Sequence, residues 1–223
     1  APGTEMLTAA GNRCAIGEFE HCRRMNWPCL NLLVLLAGWS SLAADEARSN
    51  DASAAWFDGQ RLLEVRIAMA TNDWNALRVE HHDLLAALGP TRFQQPEPNP
   101  YRVYRADVTL DGVSLSGVGL RKRGFLGSSS FQRPSLGVRL DAFDKGTELA
   151  GLNRISLNNN LQDPTLVHQL LAYRIFAKAG VPAPRADYAT VELNRRQLGL
   201  YVLTEGWDRR FLKRHFGNPN GNL

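Results

Sequence analysis

Apolar and polar residues alternate through much of the chain. Leu63, Val65, Ile67 and Met69 are spaced by Glu64, Arg66 and Ala68, the period-two pattern of a half-buried strand. Residues 101–110 repeat it, Asp111-Gly112 is a hairpin turn, and residues 113–123 return. Leu136, Val138 and Leu140 predict a further strand, as do Ile155 with Leu157. Residues 188–193 and 198–204 predict two more, joined through Asn194-Arg195-Arg196. Helical spacing appears three times. Trp74, Leu77, His81, Leu84, Leu85 and Leu88 follow the caps Thr71-Asn72-Asp73 and stop at Gly89-Pro90. Asp163 caps the clearest helix and Pro164 takes its first turn. Leu166, Val167, Leu170, Leu171, Ile175 and Phe176 are its expected buried stripe, and Gly180 ends it. A last helix covers about residues 208–216. The order predicts an α+β fold with antiparallel hairpins and one long helix between strands.

Upstream the pattern changes. Residues 30–37 are a continuous apolar run, too short for the roughly 20 residues that a membrane-spanning helix needs. Small residues and the Ala43-Ala44 step follow, as in a signal-peptidase site. Residues 1–44 therefore read as a leader, with a secretory signal at about 25–44 and cleavage near Ala44. Residues 45–60 read as a linker, and the domain occupies 61–223. Cys14, Cys22 and Cys29 all precede the expected cleavage point, so the domain has no cysteine for a disulfide or a zinc site. The expected location is secreted, periplasmic or cell-surface, with no stable membrane span.

Composition adds limits. With 44% apolar and 22% charged residues the chain has a globular balance, which excludes a fibrous or wholly disordered protein. A net charge of +4 is spread along the sequence rather than concentrated, so nucleic acid is not an expected partner.

Chemistry concentrates at Gly124-Phe125-Leu126-Gly127-Ser128-Ser129-Ser130, which follows a strand carrying Arg121, Lys122 and Arg123. Glycines let backbone amides approach a phosphate, serines add donors and neighbouring cations neutralise charge. A polar hairpin bend with a solvated basic flank has the same local sequence. No Gly-Lys-Ser/Thr follows at Walker spacing, and no Gly-x-Ser-x-Gly elbow is present. Asn158-Asn159-Asn160 either closes a strand end by side-chain bonds to backbone or contacts a ligand directly.

Several spaced segments in order resemble the spore-coat protein H (CotH) kinase family. They are residues 118–124 with Gly127-Ser128-Ser129, Pro134-Ser135-Leu136, and 157–160 with Asp163-Pro164. Residues 171–185, Gly199-Leu200-Tyr201-Val202 with Glu205, 211–217 and Gly221-Asn222-Leu223 continue the resemblance. It implies an atypical protein-kinase-like fold, with an N-lobe-like antiparallel sheet and a long helix, its second lobe lying beyond Leu223. It also implies Mg-ATP as cofactor, a protein Ser/Thr acceptor and transfer of the γ-phosphate.

On that reading Lys122, Arg123, Gly124, Gly127, Ser128, Ser129 and Glu205 belong to the nucleotide site. Gln169 takes the place of a helix glutamate, and Asn158, Asn159 and Asn160 are a family motif. The family commonly has Lys directly before the first glycine, where this chain has Arg123. The catalytic and metal-binding aspartates are expected beyond Leu223, with no metal ligand in this chain, so the fragment itself is expected to be inactive. The alternative is a non-catalytic extracellular binding module on the same fold. A carbohydrate-associated module, resting on secretion and Trp56, Trp74 and Trp207, is a weaker third.

Overall fold

Seven strands take up the alternating segments: β1 (Leu63–Met69), β2 (Tyr104–Leu110), β3 (Val113–Arg123), β4 (Ser135–Arg139), β5 (Arg154–Asn158), β6 (Ala186–Leu193) and β7 (Arg196–Glu205). Among the described residues four α-helices accompany them, α1 (Thr71–Val79), α2 (Leu84–Leu88), α3 (His168–Lys178) and α4 (Arg209–Phe216), with a short 3-10 turn at Ala54–Trp56. The computed structural model describes residues 51–90, 92–95, 98–125 and 128–221. The expected leader, most of the linker's first half and Gly127 lie outside the described residues.

The strands form one closed barrel in the order β1-β2-β3-β4-β5-β7-β6, the ends joined by a parallel pairing of β1 with β6. That pairing runs from Leu63 opposite Ala189 to Ile67 opposite Leu193. The other neighbours are antiparallel. Alternate residues point inward and fill the ring: Val65 and Ile67 from β1, Val108 and Leu110 from β2, Leu120 from β3, Leu157 from β5, Val191 from β6 and Leu203 from β7. A ring this small holds side chains and leaves no channel. Trp74 and Leu77 of α1 join the same core, as does Trp56.

This architecture corrects the expected α+β, kinase-like N-lobe with a long helix. The sheet is a closed mixed barrel and the helices are short, α3 having 11 residues. Periodicity reports which face of a strand is buried, not which strand lies beside it, so the β1–β6 closure left no local mark. The expected helix start at Asp163 also moves. Leu166 has φ +63, outside the helical region, and α3 begins at His168. Asp163 still serves that terminus, its carboxylate accepting from the His168 amide at 2.8 Å and the Thr165 hydroxyl at 2.6 Å.

The expected α3 stripe is corrected as well. Only Leu170 is buried, against Ala186 and Val202 on the outside of the barrel, while Val167, Leu171, Ile175 and Phe176 are exposed. The single helix predicted through Leu88 divides into α1 and α2. Glu80 turns extended after α1, its carboxylate accepting from the Tyr104 hydroxyl at 2.6 Å and the Arg102 amide at 3.2 Å. Burial, with Glu80 beside it, pushes the Tyr104 phenol up to about 12, which keeps it a donor. Asp83 then caps α2, accepting from Leu85 and Ala86.

Leu157 is fully buried inside the ring. Leu157→Ala is expected to lower unfolding free energy by about 2–5 kcal/mol, read from the midpoint of urea denaturation.

Candidate functional site

Side-chain alternation along β3 decides which cation faces outward. Lys122 pairs with Leu136 of β4 and is fully buried, pointing inward, whereas its neighbours Arg121 and Arg123 are exposed. Its ammonium donates to the carbonyl oxygens of Arg78, at 2.8 Å, and Glu80, and lies over the Phe131 ring. Those carbonyls end α1, where a cation also meets the negative end of the helix dipole. Burial pushes the Lys122 pKa down and Glu80 opposes the shift. Lys122 thus ties α1 to the barrel wall and does not line the outer cleft.

Arg123 does line it. A cleft of about 390 Å³ lies between the end of β3, the end of β5 and the start of α3. Gly124, Ser128, Asn158, Asn160 and Gln169 share its wall with Arg123. Gly124 has φ +114, and a β-carbon there would stand 2.7 Å from the Ser128 hydroxyl oxygen. Glycine is therefore required where the bend folds back on itself. The Ser128 hydroxyl accepts from the Phe125 amide at 3.1 Å and so holds the turn.

The three asparagines form the scaffold beneath. Asn159 is fully buried and donates to the carbonyls of Ser128, at 3.0 Å, and Arg133, at 2.7 Å. Asn158 donates to Gln169 at 2.7 Å and accepts from the Asn160 amide at 3.1 Å. Asn160 donates to the Leu166 carbonyl at 3.2 Å. The triplet thus bonds the 124–133 bend on one side and the approach to α3 on the other. Asn158 and Asn160 also face the cleft, so their structural bonds and their access to a ligand coexist.

Glu205 and Ser129 are not among the cleft's walls. Glu205 is buried, accepting from the Arg185 amide at 2.7 Å and its guanidinium at 3.0 Å, and pairing also with Arg214 of α4. It fastens the end of β7. Ser129 is exposed. Ser156, Tyr173, Thr204 and Trp207 line the cleft and were not singled out for it from the sequence. Ser156 alone carried a signal, as the polar residue between inward-facing Ile155 and Leu157.

The cleft brings one guanidinium and one carboxylate to its walls. The Arg123 guanidinium donates to the Ser156 hydroxyl and has no carboxylate partner among the described residues. Asp163 also lines the cleft, but Thr165 and His168 occupy its oxygens. The Thr165 hydroxyl, then the His168 ring and amide, hold its carboxyl well below the usual carboxylate range. Among the described residues no three His, Cys, Asp or Glu side chains form a group able to hold a metal ion. Asp163 is the one carboxylate on the cleft's walls among the described residues, and its oxygens are already engaged, so the cleft by itself does not supply the acids that a Mg²⁺ ion takes.

The geometry defines a β-barrel domain with a polar cleft at the lip between β3, β5 and α3. The family model described as CotH kinase protein matches residues 120–223, the stretch from β3 through that cleft and on to α4. Inner spore coat protein H of Bacillus subtilis strain 168 is 32% identical over 62 residues, 28% of this chain and 17% of that protein. Inner spore coat protein H-like protein of the same strain is 39% identical over 54 residues, 24% of this chain and 18% of that protein. Residues 120–223 are thus similar to the CotH family over a little under half of the chain. The aligned stretches span under a fifth of either relative.

The two cations of β3 separate by experiment. Lys122→Met keeps the packing but leaves two carbonyls without their charged donor, and is expected to cost about 2 kcal/mol, measured by urea denaturation. Arg123→Gln is expected to stay within about 0.5 kcal/mol of the parent. His215 offers a second measurement. Burial, then the charge of Arg214, pushes its pKa below the ordinary histidine value. The fold thus favours the neutral ring. The stabilising contribution is complete above the unfolded value of about 6.5 and is lost as pH falls through the lower folded value. His215→Gln is expected to flatten the decline in Tm between about pH 7 and 5.

Proposed function

We propose that this chain is part of a secreted CotH-type protein kinase, and that the cleft at Arg123, Gly124 and Ser128 receives the phosphates of ATP. The observation that carries the reading is the placement of Arg123. It is a cation without a carboxylate partner among the described residues, set beside a glycine bend and the hydroxyls of Ser128 and Ser156. Arginine is a planar fork that grips phosphate oxygens in pairs and stays charged at all working pH values. Gly124 keeps the backbone low at the cleft wall. Gln169, bonded to Asn158, orients the amide that faces the ligand. These groups bind and neutralise an anion; a proton acceptor for the protein hydroxyl and acids for Mg²⁺ have to come from groups outside this cleft. The acceptor is a protein serine or threonine, and the apolar run at residues 30–37 with its Ala43-Ala44 step supports export.

A non-catalytic binding module is the alternative. Two observations favour it: Lys122 is committed to the end of α1, and Gln169, a neutral amide, is bonded to Asn158. Neither can form the lysine–glutamate pair on which protein kinases depend.

Thermal unfolding with millimolar Mg-ATP tests the nucleotide site. Ligand that binds only the native state raises Tm by mass action. The 223-residue chain is expected to show that rise, and Arg123→Gln is expected to remove it without lowering Tm in the absence of ATP. No rise in the parent chain would sink the nucleotide reading. Transfer of labelled γ-phosphate to protein serine by the intact exported protein separates the two readings: transfer supports a kinase, and ATP stabilisation without transfer supports the module.

A further inference from the structure

The nucleotide reading uses Arg123 and leaves the rest of the outward face of β3, β4 and β5 unexplained. Register places Gly119, Arg139 and Arg154 in one row across these strands, and Arg121, Gly137 and Ser156 in the next. Arg139 and Arg154 therefore stand directly opposite one another. Like charges in that position destabilise a sheet. Gly137 sits between the arginines of β3 and the serine of β5. A β-carbon there would lie 2.9 Å from Arg123 Cδ and 3.6 Å from Arg121 Cγ. The missing side chain lets both stems lean across β4, and Arg123 reaches Ser156 over it.

The result is a groove of about 250 Å³ lined by four arginines, with Val103 and Trp207 at its walls. Asp141, bonded to Arg139 Nε at 3.1 Å, is the one acidic partner given to this quartet among the described residues. On β1, by contrast, the outward Arg66 has Glu64 beside it at 2.7 Å. An ordinary solvated face alternates its charges in that way. Desolvation of its guanidinium, then the charge of Arg121, pushes the Arg123 pKa down. The groove is smaller than the roughly 300–1,000 Å³ of a whole-ligand pocket and suits a single charged group. It also joins the nucleotide cleft, the two sharing Arg123, Ser156 and Trp207.

We propose that this groove docks a phosphorylated segment of the acceptor protein, with Arg121, Arg139 and Arg154 gripping a phosphoserine beside the cleft that holds ATP. A phosphoserine carries a charge of about −1.5 to −2 and three acceptor oxygens, which matches several convergent guanidinium forks better than one carboxylate does. Acceptors already phosphorylated near the target serine are then favoured over unmodified ones. The ordering of the two sites rests on the nucleotide reading above; the phosphoserine site itself does not.

The probe is a short fluorescent Gly/Ser peptide with one phosphoserine, compared with the same peptide carrying Ser or Glu at that position. Anisotropy is expected to show the phosphopeptide binding at least about tenfold more tightly than either. Arg139→Gln with Arg154→Gln is expected to erase that preference, to leave the rise in Tm with ATP intact, and to hold or raise Tm without ligand by relieving the cross-strand repulsion. Equal binding of the Glu peptide, equal binding of a single-stranded oligonucleotide, or competition by inorganic phosphate at the phosphopeptide's own concentration range would each overturn the assignment. Loss of the ATP effect in the double variant would also overturn it, because the groove would then be the nucleotide site. Phosphopeptide binding that responds to the double variant, in a chain whose Tm ignores ATP, supports the phosphoserine site and removes only the nucleotide reading.

Discussion

The parallel pairing of β1 with β6 is the constraint on which the rest of the structure depends. β1 has β2 on one edge and β6 on the other, so Val65 faces Leu110 on one side and Val191 on the other. Without the second pairing the sheet would be open, with two edges of unpaired amides and carbonyls. With it, every inward residue meets others across the ring and the core becomes continuous from Leu63 to Leu203. The pairing joins strands that lie far apart in the chain, so its loop-closure cost is recovered only when the whole ring assembles.

Closure also sorts the chemistry. Once the inside of the ring is apolar, a strand residue has two destinations, and β3 shows both at adjacent positions. Lys122 turns inward, and its burial is tolerated because two carbonyls at the end of α1 and the Phe131 ring receive the ammonium. Arg121 and Arg123 turn outward into the cationic face. A lysine in the place of Arg123 would have left a compact point charge there; arginine supplies a fork that spans Gly137 to Ser156. The same barrel wall thus carries a structural cation inside and ligand-accessible cations outside, one residue apart.

The asparagine triplet links this wall to the rest. Asn159, fully buried, holds the bend after β3 by two backbone carbonyls, while Asn158 and Asn160 reach Gln169 and the approach to α3. These bonds fix the amides in place at the cleft's floor, with Asn158 and Asn160 still facing it beside Arg123 and the hydroxyls of Ser128 and Ser156. Preorganised donors of this kind favour a charged ligand without a reorganisation cost at binding.

The seven strands were legible in the sequence because alternation is a property of each segment alone. The Asp111-Gly112 hairpin was legible too, since both residues adopt positive φ and Gly does so readily. The bend at Gly124 and the asparagine triplet were visible as motifs, and Arg123, Gly124, Ser128, Asn158, Asn160 and Gln169 do meet at one cleft. Three things needed the tertiary structure. Ring closure depends on β6 finding β1, which no local pattern encodes. The exposure of Leu171, Ile175 and Phe176 depends on how little of the barrel α3 covers, since helical spacing states which residues share a face and not whether that face has a partner. The arginine groove depends on strand register, which set Arg139 beside Arg154 and opened Gly137 beneath Arg121 and Arg123. Local sequence determined the elements and the direction of each side chain; neighbours across space decided which of those directions met another chain segment, and there the site was made.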